Sequence, residues 1–176
     1  MGFNSVLKNK AQASGLSFVR FIPKLHMTQE NYALLLKQLA ALLSTESDLQ
    51  ANAANLSSFL YHNLEQVNWL GFYFQQDDTL VLGPFHGQPA CTRLIIGQGV
   101  CGTAFANQET ELVGDVHAFE GHVTCDSASE SEIVVPFYTD HINGVLDVDS
   151  PVKNRFSNIE KEFFEAVVGI FLKSIQ

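Results

Sequence analysis

Six short runs of β-branched and aromatic residues follow one another between positions 67 and 150, and this series constrains the fold more than any other feature. Each run has the length of a single strand, and glycine, Asp-Asp and Asp-His turns separate the runs. The pattern predicts a β-sheet built from these strands. The runs are VNWLGFYFQ, TLVLGPFHG, TRLIIG, TELVGDV, EIVVPFYT and NGVLDVDS.

Amphipathic helices flank the strand-rich region on both sides. Apolar residues recur at helical spacing after Thr28, which can act as the N-cap of a first helix. Ser47 starts a second helix with the spacing of a capping box, and Ser157 with Glu160 starts a third one after the last strand. The predicted order of elements is therefore helix, helix, sheet, helix.

The length of the chain sets the number of domains. With 176 residues, of which 46% are hydrophobic, the chain can bury one core but is short for two. We expect a single domain over residues 26–176. Residues 1–25 show little apolar periodicity, so we expect a loosely ordered N-terminal arm there.

Charge and hydropathy narrow the range of partners. Acidic residues outnumber basic ones by 19 to 10, which gives a formal net charge of −9. Such a chain repels a phosphate backbone, and no basic stripe reverses the balance locally, so we expect no nucleic-acid partner. No run approaches about 18 apolar residues, and the start MGFNSVLKNKAQASG lacks the apolar core of a secretory signal. We therefore expect a cytoplasmic protein with no membrane partner.

Three cysteines in a cytoplasmic chain are expected to serve as thiols rather than as a structural disulfide framework. Cys125 lies in the polar run VTCDSAS, where packing gives little reason for a thiol. Cys101 lies in IGQGVCGTAF, whose glycines predict a tight turn that opens a short helix. A helix N-terminus lowers the pKa of a nearby thiol, so the local pattern by itself favours Cys101 as the reactive cysteine.

Alternation along the strands places aromatic and acidic side chains on shared faces. Trp69, Gly71 and Tyr73 share one face of the first run, where we expect the glycine to leave room for a small pocket. Asp147 and Asp149 share one face of the last run. Two carboxylates at that spacing repel each other unless a cation lies between them, so this face is a candidate binding site.

The segment HAFEGHVTC could also form a metal site. His117, His122 and Cys125 all lie within HAFEGHVTC. Their spacing is irregular and the loop has no Cys-x-x-Cys pair, unlike the closed zinc sites of proteins. We therefore expect no metal and no cofactor.

Five segments together closely resemble the free methionine-(R)-sulfoxide reductases, a family built on a GAF domain. The resemblance runs from about Trp69 to Pro151 and includes all three cysteines, a set that generic GAF domains lack. It implies an α+β fold in which a six-stranded antiparallel sheet carries the N-terminal helices and the C-terminal helix on one face and the ligand pocket on the other. The segments are NWLGFYF, LGPFHGQPAC, IGQGVCGTAF, DVHAFEGHVTCDSASESEIVVPF and GVLDVDSP.

The resemblance also implies an enzyme that reduces free L-methionine (R)-sulfoxide to methionine. A sulfoxide sulfur becomes a good electrophile when its oxygen is protonated, so the reaction needs carboxylic acids beside a thiol. Carried over from the family, Glu132 and Asp149 polarise the S=O group and Asp147 lies nearer the substrate's amine. Trp69 forms the wall for the S-methyl group, with Tyr73 beside it.

The family pattern assigns a separate role to each cysteine. Cys125 attacks the sulfoxide, and Cys91 resolves the resulting sulfenic acid as a disulfide that thioredoxin reduces. Because the helix argument favours Cys101, this residue is retained as an alternative nucleophile or a second resolving cysteine. The family further implies a homodimer.

Two non-catalytic functions are also compatible with these sequence features. GAF domains also act as sensors of small ligands, so a non-catalytic ligand or redox sensor is the first alternative. A redox sensor that binds a metal through the same thiols is the second. Sensor domains generally report to an attached output domain, and a chain of 176 residues has little room for one, which favours the enzyme.

Overall fold

The computed structural model describes residues 28–119, 121 and 128–176. The N-terminal arm expected over residues 1–25 lies outside the described residues. The helices of the described part are α1 (Gln29–Leu43), α2 (Leu49–Asn63), α3 (Gly99–Asn107) and α4 (Asn158–Ser174), with a 3-10 turn at Val116–Ala118. The strands are β1 (Trp69–Gln76), β2 (Thr79–Gly87), β3 (Arg93–Ile95), β4 (Glu111–Val113), β5 (Ser131–Tyr138) and β6 (Asn143–Ser150). Across these ranges, no helix combines the length and the apolar character that crossing a lipid bilayer requires.

The strands form one sheet in the order β3-β2-β1-β6-β5-β4, and every neighbouring pair is antiparallel. Each strand coincides with one of the six runs that the sequence displays. The central pair, β1 and β6, joins the first and the last strand along the chain. The α+β fold with a six-stranded antiparallel sheet is therefore confirmed.

Two of the predicted helix starts are confirmed by their hydrogen bonds. Thr28 Oγ1 accepts the Asn31 N–H at 3.3 Å, and Asn31 Oδ1 accepts the Thr28 N–H at 3.0 Å. At the start of α4, Ser157 and Glu160 form the second such capping box. Each box satisfies amide groups that the first helical turn leaves without a partner.

The start of α2 differs from the predicted one by a residue. Asp48 is the N-cap, because its Oδ1 atom accepts the Ala51 N–H at 2.8 Å. The Ser47 N–H instead donates to the carboxylate of Glu46 at 2.8 Å. A carboxylate is a stronger acceptor than a hydroxyl at the positive end of a helix, so the aspartate takes the cap.

The sheet separates two hydrophobic clusters. On one face, α1, α2 and α4 pack against alternate residues of the central strands to form the larger core. On the other face, α3 packs against a smaller cluster that includes Trp69, Tyr73 and Val145. The three long helices therefore cover one face and leave the other face to α3 and the candidate site. Fully buried members of the larger core include Leu35, Leu56, Phe72, Ile133, Leu146 and Phe171.

Phe171 tests the contribution of the larger core to stability. This α4 side chain is 0% exposed, and its ring centroid lies 4.6 Å from that of Phe72 on β1. Phe171→Ala leaves a cavity between helix and sheet, so the free energy of unfolding should fall by about 3–5 kcal/mol. Urea unfolding followed by the fluorescence of Trp69, the single tryptophan, measures this loss.

Ile159→Ala is the matched control on the same helix. The Ile159 side chain is 46% exposed, so its truncation should change the free energy of unfolding by less than about 0.5 kcal/mol. Equal losses for the two variants would show that the buried face of α4 is not what holds this helix on the sheet.

Candidate active site

Two rows of residues cross the three central strands on the face opposite the long helices. In the first row, Trp69 of β1 pairs with Asp149 of β6, which pairs with Glu132 of β5. In the second row, Gly71 pairs with Asp147, which pairs with Val134. Directly paired residues of antiparallel strands point to the same face. The pairing therefore brings the three acids and Trp69, which lie far apart in the sequence, onto one surface.

A thiol from α3 completes a buried acidic cluster. Cys101 Sγ lies 3.7 Å from Glu132 Oε1, to which it donates a hydrogen bond. The exposed fractions are 6% for Cys101, 7% for Glu132 and 6% for Asp147. Asp147 Oδ1 is fully buried and has no hydrogen-bond partner among the described residues. Asp149 is half-buried at the edge of this group.

Burial and mutual repulsion change the acidity of the cluster. Burial raises the pKa of Glu132 well above its ordinary value, and the negative charges of Asp147 and Asp149 raise it further. Burial raises the pKa of Asp147 to about 6. Loss of water disfavours the charged form of both acids, and the negative neighbours disfavour that of Glu132 as well, so the pair holds a proton at a pH where exposed carboxyls have lost theirs. Glu132 therefore keeps a proton that it can donate.

The expectation of a lowered pKa at Cys101 is wrong. Burial raises the pKa of the Cys101 thiol well above its ordinary value, and the charges of Asp147 and Glu132 raise it further. Cys101 does lie in the first turn of α3, as the glycines predicted. The helix has nine residues, however, and its weak N-terminal charge is outweighed by burial and two nearby carboxyl groups.

Two glycines allow α3 to approach β3 closely. A Cβ atom at Gly102 would lie 2.2 Å from the main-chain oxygen of Ile95, so no larger residue fits there. Gly99, the first residue of α3, has a φ angle of 64°, a conformation that glycine adopts without strain. The glycines therefore serve to place Cys101 beside the acids.

Trp69 and Tyr73 form an aromatic wall next to the acids. Both residues are 2% exposed, and their ring centroids lie 5.8 Å apart in a stacked arrangement. The sequence predicted a gap at Gly71, but Phe85 of β2 pairs with this glycine and occupies the space. A Cβ atom at Gly71 would lie 2.3 Å from Phe85 Cβ. Phe85 is thus a wall residue that the sequence pattern of β1 did not reveal.

The three cysteines differ in state. Cys91 is half-buried between β2 and β3 and is disulfide-bonded. Cys101 is a free, buried thiol. Cys125, which the family pattern makes the attacking cysteine, lies outside the described residues. Of the site residues predicted from the sequence, the described structure therefore gathers Cys101 and the three acids beside Trp69 and Tyr73, with Cys91 in contact with Tyr73.

Cys101, Glu132 and Asp147 also have the spacing of metal ligands. One ligand atom from each lies within 4.8 Å of the other two. The donor set suits a borderline divalent ion, and the same negative charge suits an organic ammonium group. Of the other candidate set, His117 Nε2 lies 3.7 Å from a carboxylate oxygen of Glu130, whereas His122 and Cys125 lie outside the described residues.

Several known proteins are similar to this chain in sequence and fold. The GAF domain family matches residues 34–171. The free methionine-R-sulfoxide reductase of Escherichia coli (strain K12) is 47% identical over 141 residues, covering 80% of this chain and 86% of that protein. Protein YtsP of Bacillus subtilis (strain 168) is 56% identical over 138 residues, covering 77% of this chain and 85% of that protein. The X-ray structure of free methionine-R-sulfoxide reductase from Neisseria meningitidis in complex with its substrate has a TM-score of 0.80 at 37% identity, over 88% of this chain and 96% of that chain.

The six-stranded antiparallel sheet and the match to the family model over residues 34–171 define the chain as a GAF domain. Within that class, the chain belongs to the free methionine-(R)-sulfoxide reductases, a family of oxidoreductases. The family resemblance carried by the five sequence segments is therefore confirmed.

Asp147→Asn tests whether the buried acids oppose folding. The folded-state pKa of about 6 lies above the ordinary value of 3.8. Between these values the folded protein holds a proton that the unfolded chain has released, so the wild-type protein loses stability as the pH rises through this window. The neutral asparagine avoids this loss. The stability advantage of Asp147→Asn should therefore grow from pH 4 to pH 6 and then level off, as measured by urea unfolding at each pH.

Asp78→Asn is the control for net charge alone. It removes the same charge from an exposed position in the turn between β1 and β2. If Asp78→Asn stabilises the protein as much as Asp147→Asn at pH 7, the effect comes from the overall negative charge and not from burial at the site.

Proposed function

We propose that this chain reduces free L-methionine (R)-sulfoxide to L-methionine. The observation that carries the proposal is the buried cluster of Glu132, Asp147 and Cys101 beside an aromatic wall. A sulfoxide oxygen needs a proton donor before its sulfur can be attacked, and a buried acid with a raised pKa supplies one at neutral pH. The 47% identity to the E. coli free methionine-R-sulfoxide reductase supports this reaction for this chain.

Glu132 and Asp149 polarise the S=O group, and Asp147 binds the substrate's ammonium group. The raised pKa of Glu132 supports its role as the proton donor to the oxygen. The buried Asp147 Oδ1 atom supports the ammonium site, because it offers an acceptor that no described residue uses. An ammonium group next to two carboxyl groups also relieves the repulsion between them.

The aromatic wall binds the apolar end of the substrate. Trp69 lies against the S-methyl group, and Tyr73 lies beside it, because their buried rings offer a surface for a methyl group and a methylene chain. The acids and the wall residues are buried, and an enclosed site of this kind accepts a free amino acid and excludes a sulfoxide within a polypeptide. This burial supports the specificity for the free substrate.

The thiol step transfers the sulfoxide oxygen to a cysteine. The Cys125 thiolate attacks the substrate sulfur while Glu132 protonates the oxygen. The attack forms a transient S–S bond; this bond and the substrate's S–O bond then break while an S–O bond to the cysteine forms, so the substrate sulfur gains two electrons and the cysteine sulfur loses two. The products are methionine and a cysteine sulfenic acid.

Recycling removes the sulfenic acid in two further steps. The Cys91 thiol attacks the sulfenic sulfur, which forms a disulfide and releases water, and thioredoxin reduces this disulfide by thiol exchange. Two observations support Cys91 as the resolving cysteine in a chain with three cysteines. Cys91 is disulfide-bonded, whereas Cys101 is a free thiol whose pKa is raised. The scheme leaves Cys101 as a second resolving thiol.

The proposed setting is a cytoplasmic homodimer that uses thioredoxin as its electron donor. We place the GAF domain at residues 26–176 and treat residues 1–25 as an arm outside it. The negative net charge of −9 supports the expectation that nucleic acid is not a partner.

A coupled assay tests the proposed function. The wild-type protein is incubated with thioredoxin, thioredoxin reductase, NADPH and either the R or the S epimer of free methionine sulfoxide. NADPH should be consumed with the R epimer, and at least roughly a hundredfold more slowly with the S epimer or with a sulfoxide inside a peptide, because the site fixes the oxygen, the methyl and the amine. Comparable rates with the peptide would contradict the proposal. Ligand binding without NADPH consumption would instead favour the sensor.

Cysteine variants provide the matched control for this assay. Each reduced variant is mixed with excess R epimer in the absence of thioredoxin, and methionine is counted by mass spectrometry. Cys125→Ser should yield none, and Cys101→Ser should yield one methionine per site. The reverse result would move the nucleophile to Cys101.

A further inference from the structure

Trp69 and Tyr73 hold the chain segment that carries Cys91. The Trp69 Nε1–H donates to the main-chain oxygen of Gln88 at 3.1 Å, and the Tyr73 hydroxyl donates to the main-chain oxygen of Cys91 at 3.0 Å. Residues 88–91 lie between β2 and β3, outside the strand pairing of the sheet. Side-chain hydrogen bonds therefore hold this segment in place, whereas main-chain hydrogen bonds between strands hold the residues on either side of it.

The two donors are themselves rigid. Trp69 stacks on Tyr73 at 5.8 Å and on Phe85 at 5.3 Å, measured between ring centroids. Gly71, between the two donors on β1, has no side chain to separate Phe85 from Trp69. A stack fixed between two strands loses little further freedom when its polar atoms hydrogen-bond.

We propose that Trp69 and Tyr73 form an aromatic clamp that positions Cys91 for the resolving step. This inference rests on the proposed function, because it takes Cys91 as the cysteine that attacks the sulfenic acid. Disulfide formation needs Cα atoms about 4.4–6.8 Å apart, so a loosely held resolving segment would sample reactive geometry less often. The clamp bonds to the main chain, so it holds the segment whether the Cys91 sulfur is reduced or oxidised.

The environment of Tyr73 keeps its hydroxyl in the donor state. Burial raises the pKa of Tyr73, and the charge of Asp147 raises it further. The hydroxyl therefore stays protonated at any pH used for turnover. Because this proton is directed to the Cys91 oxygen, donation to the substrate is left to the carboxyl groups.

Tyr73→Phe removes the hydroxyl and keeps the ring. The reduced full-length variant is mixed with excess R epimer, and three quantities are followed by mass spectrometry: methionine, the sulfenic acid trapped by dimedone, and the disulfide. The ratio of the resolving rate to the attack rate should fall about tenfold, the equivalent of one net hydrogen bond, and more dimedone adduct should form. A general loss of structure would slow both steps and lower the melting temperature, so the ratio separates positioning from folding.

Tyr138→Phe is the matched control. The Tyr138 hydroxyl also donates to a main-chain oxygen, that of Phe105 at the end of α3, away from the Cys91 segment. This control should leave the ratio of resolving to attack rates at the wild-type value. If Tyr73→Phe folds poorly, Trp69→Phe removes the other clamp bond. Because Trp69 also lines the substrate site, the sulfenic acid of this variant is formed with hydrogen peroxide, and its rate of conversion to the disulfide should fall below that of the wild-type protein.

Three results would overturn the clamp. An unchanged ratio in Tyr73→Phe would show that the hydroxyl does not position Cys91. A slower attack with an unchanged lifetime of the sulfenic acid would assign the hydroxyl to substrate binding. An equal shift in Tyr138→Phe would make the effect nonspecific.

Failure of the proposed function is detected separately in the same experiment. The wild-type protein then produces no methionine from the R epimer. In that case hydrogen peroxide replaces the sulfoxide as the oxidant that forms the sulfenic acid. A wild-type rate of disulfide formation in Tyr73→Phe would then overturn the clamp, and a slower rate would support it.

Discussion

The register of β1, β6 and β5 is the constraint on which the site depends. It aligns Trp69, Asp149 and Glu132 in one row and places Asp147 in the next. A slip of one residue between two of these strands would turn the acids toward the face covered by α1, α2 and α4. The alternate residues of the same strands are fully buried in the larger core, which fixes the register from the opposite side: Leu70, Phe72, Ile133, Leu146 and Val148. The apolar core thus determines the geometry of the polar site.

Holding the acids together has an electrostatic consequence. Buried carboxyl groups without a cation lose their hydration, which raises the pKa of Glu132 and Asp147, and the negative charges of Asp147 and Asp149 raise the pKa of Glu132 further. Burial raises the pKa of Cys101 well above its ordinary value, and the charges of Asp147 and Glu132 raise it further, although the thiol lies in the first turn of α3. The site is therefore prepared to donate a proton and to accept a positively charged ligand. Both properties match a zwitterionic amino acid whose side chain carries a sulfoxide.

The order of elements and the family could be predicted from the sequence, because they depend on local patterns. Strand alternation, the caps at Thr28 and Ser157, and the five family segments are all local in the chain. Period-two alternation places Asp147 and Asp149 on one face, and the family resemblance adds Glu132 and Trp69, so these candidate site residues could be named from the sequence.

Features that depend on tertiary contacts could not be predicted. Phe85 fills the space at Gly71 because of a register that includes a β-bulge in β2, which no local pattern reveals. The pKa of Cys101 depends on acids that lie 31 and 46 positions further along the chain, so the helix N-terminus alone gave the wrong direction. The bond from Tyr73 to the main chain of Cys91 joins β1 to an irregular segment. In each case the deciding partner is distant in sequence.

The central claim is that the acidic cluster is completed by a cation from the ligand. Isothermal titration calorimetry on Cys125→Ser, which binds without turnover in the proposed scheme, compares free methionine (R)-sulfoxide with 4-(methylsulfinyl)butanoate, which lacks only the amino group. Removing one partner of a buried charge pair costs at least about 2 kcal/mol, so the analogue should bind roughly thirtyfold more weakly or worse. Equal affinities for the two ligands would contradict the claim.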